Sequence, residues 1–378
     1  MMSEAFKKKL MEYERGELEG EELALFEEEL TKLEQYQEFL EGHDDQQPAP
    51  VMNEKKQRRI IWRGKWKARF QTALSAIGLF IVFTIIATII SGLYYQVGSP
   101  NRNDVYREII DLTLTVTEPY GYIGASSGSS IGPYFNMDMS RDLMKKVGSE
   151  SVKVGELNVK FLFSFMGVPI REYNGQEAQN STNFYYPTDG DDYLSDWDQL
   201  EYLHEGTVVS AYVSFDQLME TRDVEALFAD RDLFVEWYAV DTGLSEGNDV
   251  IWNPIGFPSN PIWHDDDMVL IEKEEEKTWF GTLGSELRSS PEYNEGNQAM
   301  LHEQFMKTLY FLKDHKRKAE NLMSGIYDLE EIIAYLEENG VKNYGAVITG
   351  PTKEVLKLQD EPRIAQLEVD EVAFWNWE

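Results

Sequence analysis

The sequence contains no cysteine. Disulfides, thiol nucleophiles and Cys-ligated zinc are excluded, so a large extracytoplasmic domain would have to be held by its core alone. Phosphate-binding chemistry is missing as well: GYIGASSGSSIG, residues 121–132, lacks the lysine and the strand-to-helix setting of a P-loop. No HExxH occurs, and the five histidines, His43, His204, His264, His302 and His315, are scattered. Asp189, Gly190, Asp191 and Asp192 lack the spacing of a calcium loop and its terminal bidentate Glu, and His264 is followed by Asp265, Asp266 and Asp267. Both read as solvated acidic turns. No catalytic residue, metal site or cofactor is expected.

Basic residues are scarce, 35 against 68 acidic, and their placement matters more than their number. Residues 1–53 hold 5 basic and 15 acidic side chains, residues 54–69 hold 8 and 1, and residues 98–378 hold 22 and 52. A nucleic-acid partner is not expected, because the one basic block adjoins an apolar run, where membrane lipid accounts for it.

What is present in abundance is apolar length. Residues 73–95, ALSAIGLFIVFTIIATIISGLYY, form a run of 23 with no charge between Gln71 and Asn101. A helix of that length reaches about 35 Å, enough to cross a bilayer. The basic block on its N-terminal side predicts that this end is cytoplasmic, and Trp62, Trp66, Tyr94 and Tyr95 stand where interfacial aromatics belong. The expected chain is single-pass in the cell membrane, with its N-terminus inside and its C-terminus outside. On the outer half of the span, Thr84, Ala87, Thr88, Ser91 and Gly92 recur at helical spacing. Such small faces let helices approach closely, so this is a candidate contact face for a second membrane protein or a second copy of the chain. Ordinary lipid exposure is the alternative.

Ahead of the span, residues 1–42 form an acidic helical arm. Ser3 is placed to cap a short helix with Phe6, Leu10 and Tyr13 on one face, and Gly16 and Gly20 bracket a break. A second helix from Glu21 carries Leu23, Phe26, Leu30, Leu33 and Leu40 in a heptad-like seam, with Gly42 placed to end it. Residues 43–72 read as linker and basic juxtamembrane segment. Two helices this short bury little surface by themselves, so their apolar faces call for a basic protein partner, a closed hairpin, or self-association.

At the arm a resemblance enters. LMEYERGELEGEELALFEEELTKLEQYQEFL resembles the N-terminal helices of anti-sigma factors, without the His and CxxC of their zinc-binding relatives. RGKWKARFQTALSAIGLFIVFTIIATIISGLYY, residues 63–95, resembles the N-terminal domain of membrane-anchored sigma factor regulators that restrain extracytoplasmic-function sigma factors in Gram-positive bacteria. VVSAYVSFDQLME, LFVEWYAVDTG and YGAVITGPTKEVLKLQDEPRIAQLEVDEVAFWNW are similar to the C-terminal domain of the same regulators. The resemblance implies a non-enzymatic antagonist that holds such a sigma factor at the membrane. Phe6, Leu10, Tyr13, Leu23, Phe26, Leu30 and Leu33 would supply the contact. The rival reading is a membrane-anchored envelope sensor or ligand-binding protein that touches no sigma factor; an exported metal-dependent enzyme is a third.

Beyond the span the expected class is α+β: an α-helical hairpin, one transmembrane helix, and an extracytoplasmic α/β sandwich with β-α-β units. Residues 96–206 are expected to be a β-rich membrane-proximal region and residues 207–378 the α+β regulator domain. LTLTVT, residues 112–117, alternates strictly and predicts a strand, after a helical turn at 105–110. Residues 121–134 read as a Gly/Ser-rich loop, 157–166 as a central strand, and 173–203 as connection containing the sequon Asn180, Ser181 and Thr182, to which no meaning attaches. Strand 207–215, helix 223–229 and strand 233–240 form one β-α-β unit; strand 344–349, helix 353–359 and strand 364–376 form a second. Helices at 301–323 and 329–338 are expected to cover one sheet face. Trp252, Phe257 and Trp263, alternating with prolines, read as core packing or as an exposed recognition loop.

Overall fold

The computed structural model describes residues 4–44, 53–120, 127–175, 182–187, 195–244, 250–278, 281–323 and 327–375. The Ser3 cap, residues 45–52 of the linker, residues 121–126, Asn180 and Ser181 of the sequon, and the Asp189 cluster lie outside them. Two compact units divide the chain, Met1–Phe80 and Ile81–Glu378.

In the first unit, α1 (Glu4–Glu14) and α2 (Glu21–Asp44) are joined by a short turn and meet at Phe26. Gly16 and Gly20 take φ of 68° and 64° there, a region that side chains resist. α2 does not stop at Gly42: two more helical residues carry it to Asp44. α3 (Glu54–Gln96) is 43 residues long and continuous through the basic block and the apolar run. Among the described residues it alone is long and apolar enough to cross a membrane.

The second unit opens with a correction. Residues 112–117 are the end of a helix, α4 (Arg102–Thr117), and not a strand. Asn101 caps it, its side chain accepting from the Asp104 N–H at 2.9 Å. Leu112 and Val116 pack into one core while Ile109, Ile110 and Leu114 pack into another. A helix buried on two sides is apolar at spacings that imitate alternation. Its threonines are accommodated because Thr113, Thr115 and Thr117 donate back to carbonyls four residues earlier at 2.6–2.8 Å.

An antiparallel sheet follows: β1 (Ser127–Ile131), β2 (Asn136–Val147), β3 (Glu150–Leu162), β4 (Phe165–Met166) and β5 (Ile170–Tyr173), with β4 and β5 both on β3. Residues 127–131 of the expected loop are thus a strand, and the expected strand 157–166 is interrupted by a turn at Phe163. β6 (Phe184–Tyr185) and α5 (Trp197–Tyr202) lie in the stretch read as connection.

The C-terminal sheet combines β7 (Thr207–Met219), β8 (Phe234–Val240), β10 (Gly256–Pro258), β13 (Asn343–Pro351) and β14 (Ile364–Phe374) in the order β10-β8-β13-β7-β14, all pairs antiparallel. α6 (Thr221–Phe228) joins β7 to β8, and α10 (Thr352–Leu356) with a 3-10 turn joins β13 to β14. Each connection steps over one intervening strand, so the two expected units interleave as a split β-α-β pair of ferredoxin-like topology. Between β8 and β13 lie β9 (Val250–Ile251), the hairpin β11 (Val269–Thr278) and β12 (Gly281–Ser289), α7 (Gln298–Asp314), α8 (Lys316–Leu322) and α9 (Leu329–Asn339). The expected helix 301–323 is therefore two helices, broken at His315, where φ is −110° and ψ 26°.

β13, NYGAVITGP, is buried along its whole length, as its near-continuous apolar run demands of a central strand. Helices α6, α7, α9 and α10 pack through Val224, Phe305, Ile332 and Val355 on one sheet face. Phe184, Tyr212, Trp237 and Tyr344 fill the other. The two sheets are tied by Lys145 of β2, which donates to Asp370 of β14 at 2.8 Å with both side chains buried, while Trp237 Nε1 of β8 donates to the Thr115 carbonyl of α4 at 3.0 Å.

Candidate functional site

The seven apolar residues expected to face a partner divide between two environments. Phe26 is buried, its ring 5.5 Å from both Phe6 and Tyr13. Leu10, Leu23 and Leu30 are half-buried, as are Phe6 and Tyr13. The hairpin thus closes on itself through six of the seven. Leu18 joins them, 8% exposed; it stands alone between two glycines, where no helical period could reveal it.

Leu33 is different. α1 has 11 residues and α2 has 24, so the last three turns of α2 extend about 15–20 Å past anything α1 can cover. On that extension Leu33, Tyr36, Phe39 and Leu40 are 42–63% exposed. They span roughly a third of the helix circumference, the width of an ordinary buried face. Glu34, Glu38 and Glu41 border them and are exposed.

In the second unit the small residues of the apolar helix meet this chain's own sheet β1–β5. Ser91 is buried, and its Oγ accepts from the Phe135 N–H at 2.7 Å. Tyr95, also buried, donates its hydroxyl to the carbonyls of Phe135 at 2.8 Å and Phe163 at 3.0 Å. Thr84 and the Tyr134 hydroxyl are 2.8 Å apart. Ala87 and Gly92 are half-buried on this side, and Thr88 is exposed, its Oγ returning to the Thr84 carbonyl at 2.9 Å. The two turns that meet this side of the helix come 40 and more residues later, beyond what the residues of the apolar run can indicate.

The acidic turn after His264 is held by ion pairs and hydrogen bonds. His264 is buried, with Nε2 2.9 Å from the Thr308 hydroxyl and Nδ1 3.4 Å from Glu108; Asp266 and Asp267 bind Lys307 at 2.8 and 2.7 Å. The acidic turn is a structural clasp, and no group of three or more His, Asp or Glu able to hold a metal occurs among the described residues. Phe257 is buried, Trp263 is half-buried and Trp252 is exposed, so the Pro/aromatic loop serves the core at its middle and reaches solvent at its start. A cavity of about 340 Å³ is lined by Arg171, Tyr173, Asn183, Trp252 and Tyr327 among others, with Arg171 paired to Glu118 at 3.2 Å. Asp111 on α4 pairs with Arg141 on β2, yet burial outweighs that cation and pushes its carboxyl up to about 6.

Comparison with known proteins converges on one kind of regulator. A model of the sigma factor regulator N-terminal domain matches residues 58–152, and a model of the sigma factor regulator C-terminal domain matches residues 200–371. The chain is 27% identical over 385 aligned residues to the probable anti-sigma-M factor YhdL of Bacillus subtilis (strain 168), covering 100% of both chains. No solved structure matches.

Proposed function

The chain belongs to the sigma factor regulators, carrying their N-terminal and C-terminal domains in one polypeptide, and from that membership we propose that it is a membrane-anchored anti-sigma factor. It antagonises an extracytoplasmic-function sigma factor through its cytoplasmic arm, residues 1–42. The basic segment of residues 43–72 lies against anionic lipid, residues 73–95 cross the membrane, and residues 96–206 and 207–378 form the extracytoplasmic portion. The role is regulatory and non-enzymatic, and no nucleic acid is bound.

One observation carries the division of labour within the arm: the apolar row closes the hairpin, while on the extension of α2 Leu33, Tyr36 and Leu40 stay exposed. On this reading Phe6, Leu10, Tyr13, Leu23, Phe26 and Leu30 hold the arm in shape and Leu33 touches the sigma factor. An exposed apolar strip of that length, rimmed by glutamates, suits the helix-in-groove mode, with acids steering a basic partner surface. By occupying surfaces the sigma factor uses on RNA polymerase, the arm keeps it inactive at the membrane.

The test is regulation in cells. Replacing Phe26 and Leu30 together by Asp puts two charges into the hairpin's only core, and the expected result is derepression of a reporter driven by the cognate sigma factor. An unchanged reporter, with the variant present at wild-type level in the membrane, would contradict the proposal and favour an envelope sensor without sigma-factor contact.

A further inference from the structure

Two turns of the membrane-proximal sheet reach the span, and their residue types are wrong for turns in water. The β1–β2 turn places Tyr134 and Phe135 at φ of 61° and 59°, and the β3–β4 turn places Phe163 at 55°. Glycine or asparagine ordinarily takes that left-handed region, and a large aromatic held there carries local strain. The strain is fixed by specific bonds: the Phe163 N–H donates to the Phe135 carbonyl at 2.9 Å, and both carbonyls receive the Tyr95 hydroxyl.

The depth of these turns follows from what they touch. Backbone of the first turn is bonded to Ser91, while the side chain of Tyr134 runs down the helix to Thr84, its ring 6.0 Å from Phe83. Ser91 and Thr84 are seven residues, about 10 Å, apart along the axis. Sheet backbone cannot lie exposed in hydrocarbon, so the outer edge of the apolar layer falls near Ser91. Residues 70–90 below that point make about 31 Å of helix, one hydrocarbon thickness, with Arg69 at the inner end. Tyr134 then hangs below the edge, and its hydroxyl finds its partner in Thr84 there.

The remaining side chains of the tips fit the same placement. Leu162, Phe163 and Phe165 are 54%, 40% and 68% exposed, and the Phe163 ring lies 5.9 Å from that of Tyr94 on the span. One turn above Ser91, the Arg102 guanidinium lies 4.4 Å over the Tyr94 ring and donates to the Tyr94 carbonyl at 2.9 Å. Aromatics below and a cation above is the order of an interfacial anchor.

We propose that the two turn tips, carrying Tyr134, Leu162, Phe163 and Phe165, are immersed in the acyl region of the outer leaflet beside the span. The occupant of this surface is lipid, because the tips are hydrogen-bonded to a membrane helix at a fixed depth and continue its lipid-facing surface. The inference rests on the anchored reading of α3, and its test separates the two.

Because the native chain has no cysteine, single-cysteine variants of the full chain can each carry one nitroxide. Phe165→Cys reports the tip, Ile86→Cys the span, and Tyr202→Cys, 87% exposed on α5, the aqueous reference. In vesicles of phosphatidylethanolamine and phosphatidylglycerol, collision with oxygen is compared with collision with a water-soluble nickel chelate. The expected result places position 165 with position 86, rich in oxygen and poor in nickel. Position 165 matching position 202 while 86 stays lipidic would overturn the proposal and leave the anchor standing. Position 165 shielded from both reagents would overturn it in favour of a protein occupant, and an aqueous position 86 would overturn both readings.

Discussion

Phe26 and Asp111 show how differently single residues are constrained in the two units. Phe26 is nearly all the core that α1 and α2 have, and a buried Phe is worth about 3–5 kcal/mol against truncation, most of what so small a body can hold. Asp111 acts in the opposite sense. Its neighbours are Arg141, Arg107 and, more distantly, Asp265, and the net of burial and these charges puts its carboxyl at about 6. Between about pH 4 and 6 the folded chain keeps a proton there that the unfolded chain releases. Stability from this group is therefore fully present below pH 4, falls as pH rises to 6 and is flat above, by roughly 3 kcal/mol in all. Asp111→Asn is neutral throughout. Thermal melts of the full chain in detergent at pH 4 and pH 7 should show the variant equal to the native chain at the lower pH and more stable at the higher. A variant that melts in parallel with the native chain at both would contradict this.

Elements were legible from sequence where one period dominated. The apolar run of α3, the pairs β7–α6–β8 and β13–α10–β14, and α9 ending at Gly340 all announced themselves by period and cap. α4 did not, because burial on two sides erases the polar stripe from which a helix is recognised. The break at His315 was hidden for a related reason: Leu312 and Ala319 are both buried, so the apolar pattern runs straight across it. In the candidate site, the arm's apolar row was legible but its use was not. Which leucines close a hairpin and which stay outside depends on the unequal lengths of α1 and α2. The covering of Thr84 and Ser91 was beyond sequence altogether, since Tyr134 and Phe135 are recognisable as membrane-facing only once the sheet has brought them to the helix.

At the scale of the whole molecule the governing feature is segregation of charge about one apolar segment. The arm is strongly acidic, the block of residues 54–69 strongly basic, and the remainder acidic again. If the arm steers a basic partner, association slows as salt rises while dissociation, set by the apolar contact, changes little. Stopped-flow measurement between 50 mM and 500 mM salt should find the association rate falling by at least about tenfold, and a salt-independent rate would remove steering from the account. The central claim, that this chain holds an extracytoplasmic-function sigma factor through the uncovered face of α2, is met most directly by purifying the full chain in detergent from its own cells and identifying what remains bound. The native chain should retain such a sigma factor, and the variant carrying Leu33→Glu, Tyr36→Glu and Leu40→Glu, whose hairpin core is untouched, should lose it. Retention of the sigma factor by the variant, or its absence from the native preparation, would contradict the account.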